Sequence, residues 1–578
     1  MIFFLLALLV AVIGITPLLP QGRLYNKKMG VILLGTLYFL LGLLVSWLNT
    51  PSLAYPLLGG MIVLVIVCCA VSAVLNLSFI SVAIPAGITL IVVLYAWVSS
   101  STFLHANAYA TMIGKMSEDK SIKHWSKDIM PIDPKHIRLV PEETAIALAK
   151  TSLNQNATNG SQTSVGSQFD IDNAHITLQK VQDRLLYVIP LDYRGMGSYY
   201  NTAGIPGFII IDAENPQAKP VFVENTLMKY SPESYFEHNL ERHLYTHGYY
   251  NKILTDYSFE LDDNMKPHWV ITVCEPTIGY SGIKVLGVAI VDPLTGDIEY
   301  KATKDVPTWV DRVFPEDIIK TYLADWGDYS LGWWNSVWAH LNQKSTEDVT
   351  LNYGSDGRCY YVTPMTSSNA DDASMTDLIY TDTKTGISER YIVAGSTEDH
   401  LLSAVTTKLE YQHLHGNRVI YENVYGRMTA IISVLGEDGS YRGVAFVDVT
   451  NKSILAYDAT PLNALHAYQT LLSQSGNQIA TDNASDIKTI SAVISRLNFE
   501  QTQNGLQLDI YIDTIPHAFY VNCSQFQSAP FAKAGDTVVM SYFNTPSAGI
   551  SVNDFIDKQV KINLSENQKS VEVQNKGK

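Results

Sequence analysis

The first hundred of this chain's 578 residues contain no Asp or Glu and only three basic residues, Arg23, Lys27 and Lys28. A stretch so poor in charge cannot cover a water-facing surface. Cysteine is also scarce: five in all, none in a CxxC pair, which excludes a zinc ribbon, a dithiol redox centre and a disulfide scaffold. HExxH, GxSxG, the phosphate-binding P-loop, the dinucleotide glycine fingerprint and the EF-hand loop are all absent, so no familiar catalytic machinery is announced. Cations are few as well. The formal charge is −16, and setting aside the three early cations leaves −19 on the remainder. Nucleic acid and anionic lipid would repel such a surface, so neither is expected as the main partner.

What is present begins with four apolar stretches, near Ile2–Leu19, Gly30–Leu48, Leu57–Leu75 and Phe79–Val98. Each approaches the roughly 20 residues a helix needs to cross a bilayer core. No basic segment precedes the first, and three more follow it, which argues for an anchor over a cleaved signal peptide. All three cations fall between the first and second stretches, and the positive-inside bias places that loop in the cytoplasm. The N-terminus is then outside, Trp47 and Trp97 lie at the outer interface, and residues 101–578 are extracytoplasmic. No charge interrupts any stretch, so an ion pathway is not expected. The bilayer itself is thus the first expected partner.

Residues 101–140 read as a juxtamembrane stalk. Pro141–Leu153 has Pro and acidic residues at its start and Ala145, Leu148, Ala149 and Leu153 along one face, which predicts an amphipathic helix. Strand-like runs follow, and then a phrase that recurs: GFIIID at Gly207–Asp212, GVAIVD at Gly287–Asp292, DLIYTD at Asp377–Asp382 and GVAFVD at Gly443–Asp448. Two copies continue into the same turn, DPLTG and DTKTG. The Asp is expected to cap the turn with its carboxylate, and the later Gly to supply a positive φ. An apolar run without alternation predicts a strand buried on both faces.

A helix with an acidic start, then a hairpin, then a hydrophobic strand ending in Asp, resembles the PepSY module of bacterial secreted and membrane proteins. The resemblance implies tandem α+β units over 141–300 and 301–472, and an inhibitory, chaperone-like or regulatory role toward exported proteins. The second region carries a Trp-rich helical insert, with Trp309, Trp326, Trp333, Trp334 and Trp338. Trp334 and Trp338 are four apart, which places them on one helix face. Such a segment is either core or an exposed surface for a peptide, a glycan or the membrane. After the polar stretch Ser473–Asp486, residues 487–564 offer five short strand candidates and resemble a small OB-like β-barrel. Its seven acidic and five basic residues between Asp486 and Lys561 point to protein contact and away from nucleic acid. Residues 565–578 form a polar tail expected to be disordered.

Candidate chemistry is thin. His243 and His247 have helical i, i+4 spacing with His238 nearby, a pattern that can hold a metal, but Leu244 stands where a zincin has its general base. The pairs Asp262–Asp263 and Asp371–Asp372 could bind Ca²⁺ or act as acid and base, and both sit among turn formers. No catalytic residue and no cofactor is assigned. The expectation is a membrane-anchored, non-catalytic binding or regulatory protein with a protein partner in the envelope; the alternatives are an envelope enzyme, such as a metal-dependent hydrolase, and an accessory subunit of a membrane complex.

Overall fold

The computed structural model describes residues 1–18, 28–55, 60–76, 80–117, 125–129, 131–132, 136–155, 165–339, 342–346, 349–354, 357–367, 374–474, 487–502, 505–515, 517–523, 526–543 and 549–560. The chain forms two compact units. The first comprises Met1–Ile122, Val140–Tyr353 and Gly357–Ile392, the second Lys123–Leu139, Gly354–Asp356 and Val393–Lys578.

The first unit opens with four apolar helices, α1 (Ile2–Ile15), α2 (Lys28–Asn49), α3 (Met61–Asn76) and α4 (Ile80–Ser99). Residues Met29–Asn49 of α2 are long and apolar enough to cross a membrane, and the bent pair Ala86–Ser99 with Thr102–Ala110 is a second such segment if its 43° break is one span. The other two helices fall short: 14 residues in α1 rise roughly 21 Å against a hydrocarbon core of about 30 Å. Small residues let the helices approach, since a Cβ on Gly42 would press on the backbone of Ala7. Leu8, Ile32, Val67 and Leu94, one from each helix, are exposed.

Beyond the helices, one pattern is built four times. Each repeat is an antiparallel meander whose strands pair in chain order. In the first repeat the strands are Thr177–Val181, Arg184–Ile189, Ile205–Asp212 and Val221–Met228; in the second, Ile253–Leu261, Pro267–Ile278, Ser281–Val291 and Ile298–Ala302. In the third they are Thr350–Tyr353, Cys359–Ser367, Ser374–Asp382 and Ser388–Ser396, with a short extra strand Gln343–Ser345; in the fourth, Leu414–Val424, Arg427–Gly436, Tyr441–Asp448 and Leu455–Asp458. Helices Glu142–Gln155, Glu316–Tyr329 and Glu398–Leu409 precede the first, third and fourth, and each begins with two acidic residues that suit a helix N-terminus. Only the seven-residue helix Leu240–Thr246, restarted by the Asn239 side chain, fills that place in the second. The stretch 141–300 therefore holds two of the meanders and 301–472 the other two. Of the Trp-rich segment, Trp326 lies in helix Glu316–Tyr329, which precedes the third repeat's strands.

All four repeated aspartates close the third strand of their meander, as the shared phrase implies. In every copy Oδ1 accepts the N–H groups two and three residues ahead: Glu214 and Asn215, Leu294 and Thr295, Lys384 and Thr385, Thr450 and Asn451, at 2.8–3.3 Å. In every copy Oδ2 faces a cation at the start of the second strand: Arg184 to Asp212 at 2.7 Å, Lys266 to Asp292 at 2.7 Å, Arg358 to Asp382 at 3.6 Å and Arg427 to Asp448 at 2.7 Å. The carbonyl of the next residue then accepts an N–H from the segment that leads into the repeat: Val140 to Ala213, Tyr230 to Pro293, Phe314 to Thr383 and Ser396 to Val449, at 2.9–3.0 Å. The carboxylate thus ties two strands and a turn, and the carbonyl beside it ties in the approach to the repeat.

The glycines of the phrase have a separate cause. A Cβ at Gly207, Gly287 or Gly443 would collide with the backbone carbonyl of Val223, Lys301 or Asp458 on the fourth strand. Where the third repeat has Asp377 instead, its carboxylate is buried and accepts from Arg390 Nε and Gln343 Nε2, both at 2.7 Å. The turn glycines Gly296 and Gly386 have φ of +80° and +69° and lie beneath the rings of Tyr230 and Phe314.

The first two repeats share a core in which Phe208 meets Phe259 at 5.5 Å and Phe259 meets Trp269 at 4.9 Å. Buried Gln179 joins their edge strands as a surrogate peptide group, donating to Leu261 O and accepting from Leu261 N, both at 2.8 Å. All five cysteines are free and buried.

In the second unit the C-terminal sheet has six strands and is not closed, where a five-stranded barrel was expected. The difference arises at Ile494–Ser495, where the first strand candidate bends; its halves, Ile487–Val493 and Arg496–Thr502, take the two edges of the sheet. The linker 475–486 and the tail 561–578 lie outside the described residues.

The shared clasp differs in burial between copies, and that sets its worth. Asp448 is fully buried, so Asp448→Ala strands Arg427 and two N–H groups and is expected to cost about 3–5 kcal/mol. Arg184 is largely in solvent, so Arg184→Ala is expected to cost about 1 kcal/mol or less. Hydrogen exchange of the full chain under mild denaturant checks both; equal losses would contradict the burial argument.

Candidate functional site

Two of the three candidate histidines, His238 and His243, pack on the Tyr230 ring at 5.1 and 4.5 Å, and one nitrogen of each of the three is engaged in holding structure. His243 and His247 stack at 4.3 Å between centroids at the end of helix Leu240–Thr246. His243 Nε2 bonds Gly296 O at 2.7 Å, so the short helix is pinned to the glycine of the second repeat's turn. Burial lowers the His243 pKa, against the Gly296 carbonyl that pulls it up. His247 Nδ1 bonds His243 O at 2.7 Å, and His238 Nδ1 meets Tyr199 OH at 2.8 Å. Among the described residues, no group of three His, Cys, Asp or Glu side chains could hold a metal ion. Asp262 is a turn cap that accepts from Asn264 N and Lys266 N, with Asp263 beside it in that turn, and Asp371–Asp372 lie outside the described residues.

The tryptophans divide. Trp326 is buried in the third repeat's core, with the Arg390 guanidinium over its ring at 5.4 Å. Trp309 is half-buried and stacks on His268 at 5.0 Å. Trp334 and Trp338 are 64% and 75% exposed, which removes them from any core. Trp334 directly precedes a π-helical turn, Asn335–Ala339, and Trp338 lies within it; their centroids are 6.4 Å apart. Trp333 lies behind them, edge-on to Phe103 at 4.8 Å.

Phe103 follows the end of α4, and other apolar-helix ends are held just as closely. Trp47, near the end of α2, carries the Arg242 guanidinium at 4.1 Å from its ring, and Arg242 Nε donates to its carbonyl. Thr50 donates to Glu241 Oε1 at 2.8 Å, Leu53 N to Tyr250 O at 2.8 Å, and Tyr245 OH to Pro51 O at 3.0 Å. Phe3, at the start of α1, stacks on Tyr245 at 5.2 Å. At the end of α4, Ser100 Oγ accepts from Tyr280 N, and Tyr95 meets the Tyr280 ring at 6.4 Å. Helix Leu240–Thr246 and the Ile278–Ser281 hairpin therefore grip the start of α1 and the ends of α2 and α4.

Two strongly perturbed acids form a third cluster that sequence motifs do not flag. Glu260 is fully buried, with Ser258 donating to Oε1 at 2.8 Å and Asp311 N to Oε2 at 3.0 Å. Burial, and then the neighbouring Asp311, push its pKa up to about 7 against the pull of Arg312. Burial likewise raises Asp311 to about 6, although Lys180 N and Tyr353 OH donate to its Oδ2 at 3.0 and 2.9 Å. Perturbed acids often mark active sites. Here their partners are backbone groups and hydroxyls drawn from the first three repeats, and burial pushes the nearby Cys359 thiol far up, out of nucleophilic range. The cluster is a joint.

No family model matches the chain, and a search of curated proteins returns no match. The site residues that sequence reading missed are Arg242, Glu260, Asp311, Arg312 and the four clasp cations. The cations alone left a signal, a basic residue 28, 26 or 21 positions before Asp212, Asp292 or Asp448.

Glu260 makes the joint sensitive to pH with a defined sign. Its folded pKa lies above its unfolded value, so its contribution is full below about pH 4.5 and is lost as pH rises through about 7. Thermal melts of the full chain are expected to show first-unit stability falling from about pH 5 to about pH 8, by on the order of 3 kcal/mol at most, and Glu260→Gln to flatten that slope. An unchanged slope in the variant would remove Glu260 from the cause.

Proposed function

We propose that this is a membrane-anchored, non-catalytic binding or regulatory protein whose four-helix anchor carries the repeats and the C-terminal sheet on the extracytoplasmic side. The carrying observation is the grip on alternate helix ends. Phe3 at the start of α1, Trp47 at the end of α2 and Ser100 just past α4 all contact the second repeat. Helices that reverse direction in turn bring those ends to one side, and the positive-inside bias calls for Arg23, Lys27 and Lys28 on the other. Exposed apolar side chains on all four helices suit a lipid surround. α1 and α3 are short for a bilayer core, and local thinning absorbs such mismatch at modest cost.

The non-catalytic reading rests on how the carboxylates are used. All four repeated aspartates are committed to turns and cations. The PepSY resemblance supports a partner among exported proteins or envelope components, since the recurring strand phrase is the unit's structural seam. The C-terminal module reads as OB-like: Ala518–Asn522 and Gly549–Asp557 pair in parallel, and a single bent strand supplies both edges of the sheet, as a partly open small barrel would require.

Orientation is tested by reporters fused after Lys578 in a bacterial host. An exported phosphatase is expected to be active there and a cytoplasm-dependent fluorescent protein dark; the reverse pattern would overturn the topology. Crosslinking from the outer face then identifies the partner.

A further inference from the structure

We propose that the π-helical turn carrying Trp334 and Trp338 is a second membrane contact: a hydrophobic foot, beside the end of α4, that enters the bilayer's interfacial layer. The proposal rests on the membrane reading of α1–α4 and adds a lipid-binding surface in the third repeat.

Continuity with the helix end selects the occupant. α4 ends at Ser99, and the chain bends by 43° into helix Thr102–Ala110. Phe103 and Leu104 are 52% and 56% exposed, and Phe103 packs edge-on against both Trp333 and Trp334, at 4.8 and 6.3 Å. The turn thus touches the segment that leaves the anchor. Its exposed side chains Leu331, Trp334, Val337 and Trp338 are all apolar, and no charge occurs between Leu331 and Trp338. Asn335 is turned onto Asn342 Oδ1 at 2.8 Å, and Asn342 in turn onto Asp328 Oδ1 at 3.2 Å, so polar groups of the turn are bonded within the protein.

That chemistry fits lipid better than a soluble ligand. Indole rings prefer the membrane–water interface, where the ring is desolvated and the N–H still finds a polar partner. A glycan or peptide site pairs its aromatic platform with convergent polar groups, whereas the two asparagines here point to each other. The foot works without cations, as it must on a region carrying −19, which would gain nothing from anionic headgroups. With α4 it gives the third repeat two attachments to one surface, fixing the tilt of the sheets above it.

The test is tryptophan quenching of the full chain in phosphatidylcholine vesicles with brominated acyl chains. Four rings are expected in reach of bromine, Trp47, Trp97, Trp334 and Trp338, so Trp334→Phe/Trp338→Phe should lose roughly half of the quenchable emission. Both side chains are exposed, and an unchanged melting temperature confirms that the variant folds. If the double variant quenches like the parent while Trp47→Phe/Trp97→Phe loses the effect, the foot is wrong and the anchor stands. If bromine quenches neither set, the membrane reading falls and takes the foot with it. If water-soluble acrylamide reaches Trp334 and Trp338 freely in the vesicle-bound protein, the surface faces water and serves a soluble partner, which also overturns the proposal.

Discussion

The architecture beyond the N-terminal helices depends on one carboxylate placed at the end of a strand. Its Oδ1 takes two N–H groups that the turn would otherwise leave unpaired, and its Oδ2 meets a cation on the neighbouring strand. The backbone carbonyl one residue on then receives the segment that leads into the repeat. Removing the side chain would therefore loosen strand, turn and helix approach together. Buried polar groups are costly unless all are paired, and this arrangement pairs them with residues at hand in every copy. That is enough to explain why the phrase repeats.

Variation between copies follows from the same constraint. Where Pro293 follows the Asp, the copy lacks the N–H that Ala213, Thr383 and Val449 donate back to the second strand, while its carbonyl still accepts from the adjacent Lys229 and Tyr230. Where Asp377 replaces the strand glycine, an ion pair with Arg390 occupies the space between strands. The second repeat has given up its long helix, and the short Leu240–Thr246 segment there holds α1 and α2 through Tyr245, Glu241 and Arg242. The copy that departs furthest from the pattern is thus the one that meets the N-terminal helices.

Much of this was legible in the sequence because it is local. The Asp turn, the left-handed glycines and the acidic helix starts are set by residues within a few positions of one another, so they could be read from Asp292 to Gly296 or from Pro141 to Glu143. The repeat boundaries were harder. The second repeat lost its helix signal, and so two sheets read as one region. Contacts between distant positions left almost no trace: Gln179 bonding Leu261, Arg242 lying over Trp47, or Glu260 buried beside Asp311. The bend at Ile494–Ser495 was equally invisible, because both halves of that strand are good β-formers. The histidines had the spacing of a metal site, but neighbours that spacing cannot specify, Gly296 O and Tyr199 OH, take up their nitrogens.

Four copies of one closed unit make a sharp demand on backbone protection. The amides of Val140, Tyr230, Phe314 and Ser396 occupy equivalent places, each donating to the carbonyl one residue past its repeat's aspartate. Hydrogen exchange on the intact protein in a bilayer, resolved to single amides, measures all four at once. Four slow amides that quicken only when the partner aspartate of the same repeat is changed are the expected result. Fast exchange at these amides in the native protein, or protection indifferent to Asp212, Asp292, Asp382 and Asp448, would contradict the shared clasp.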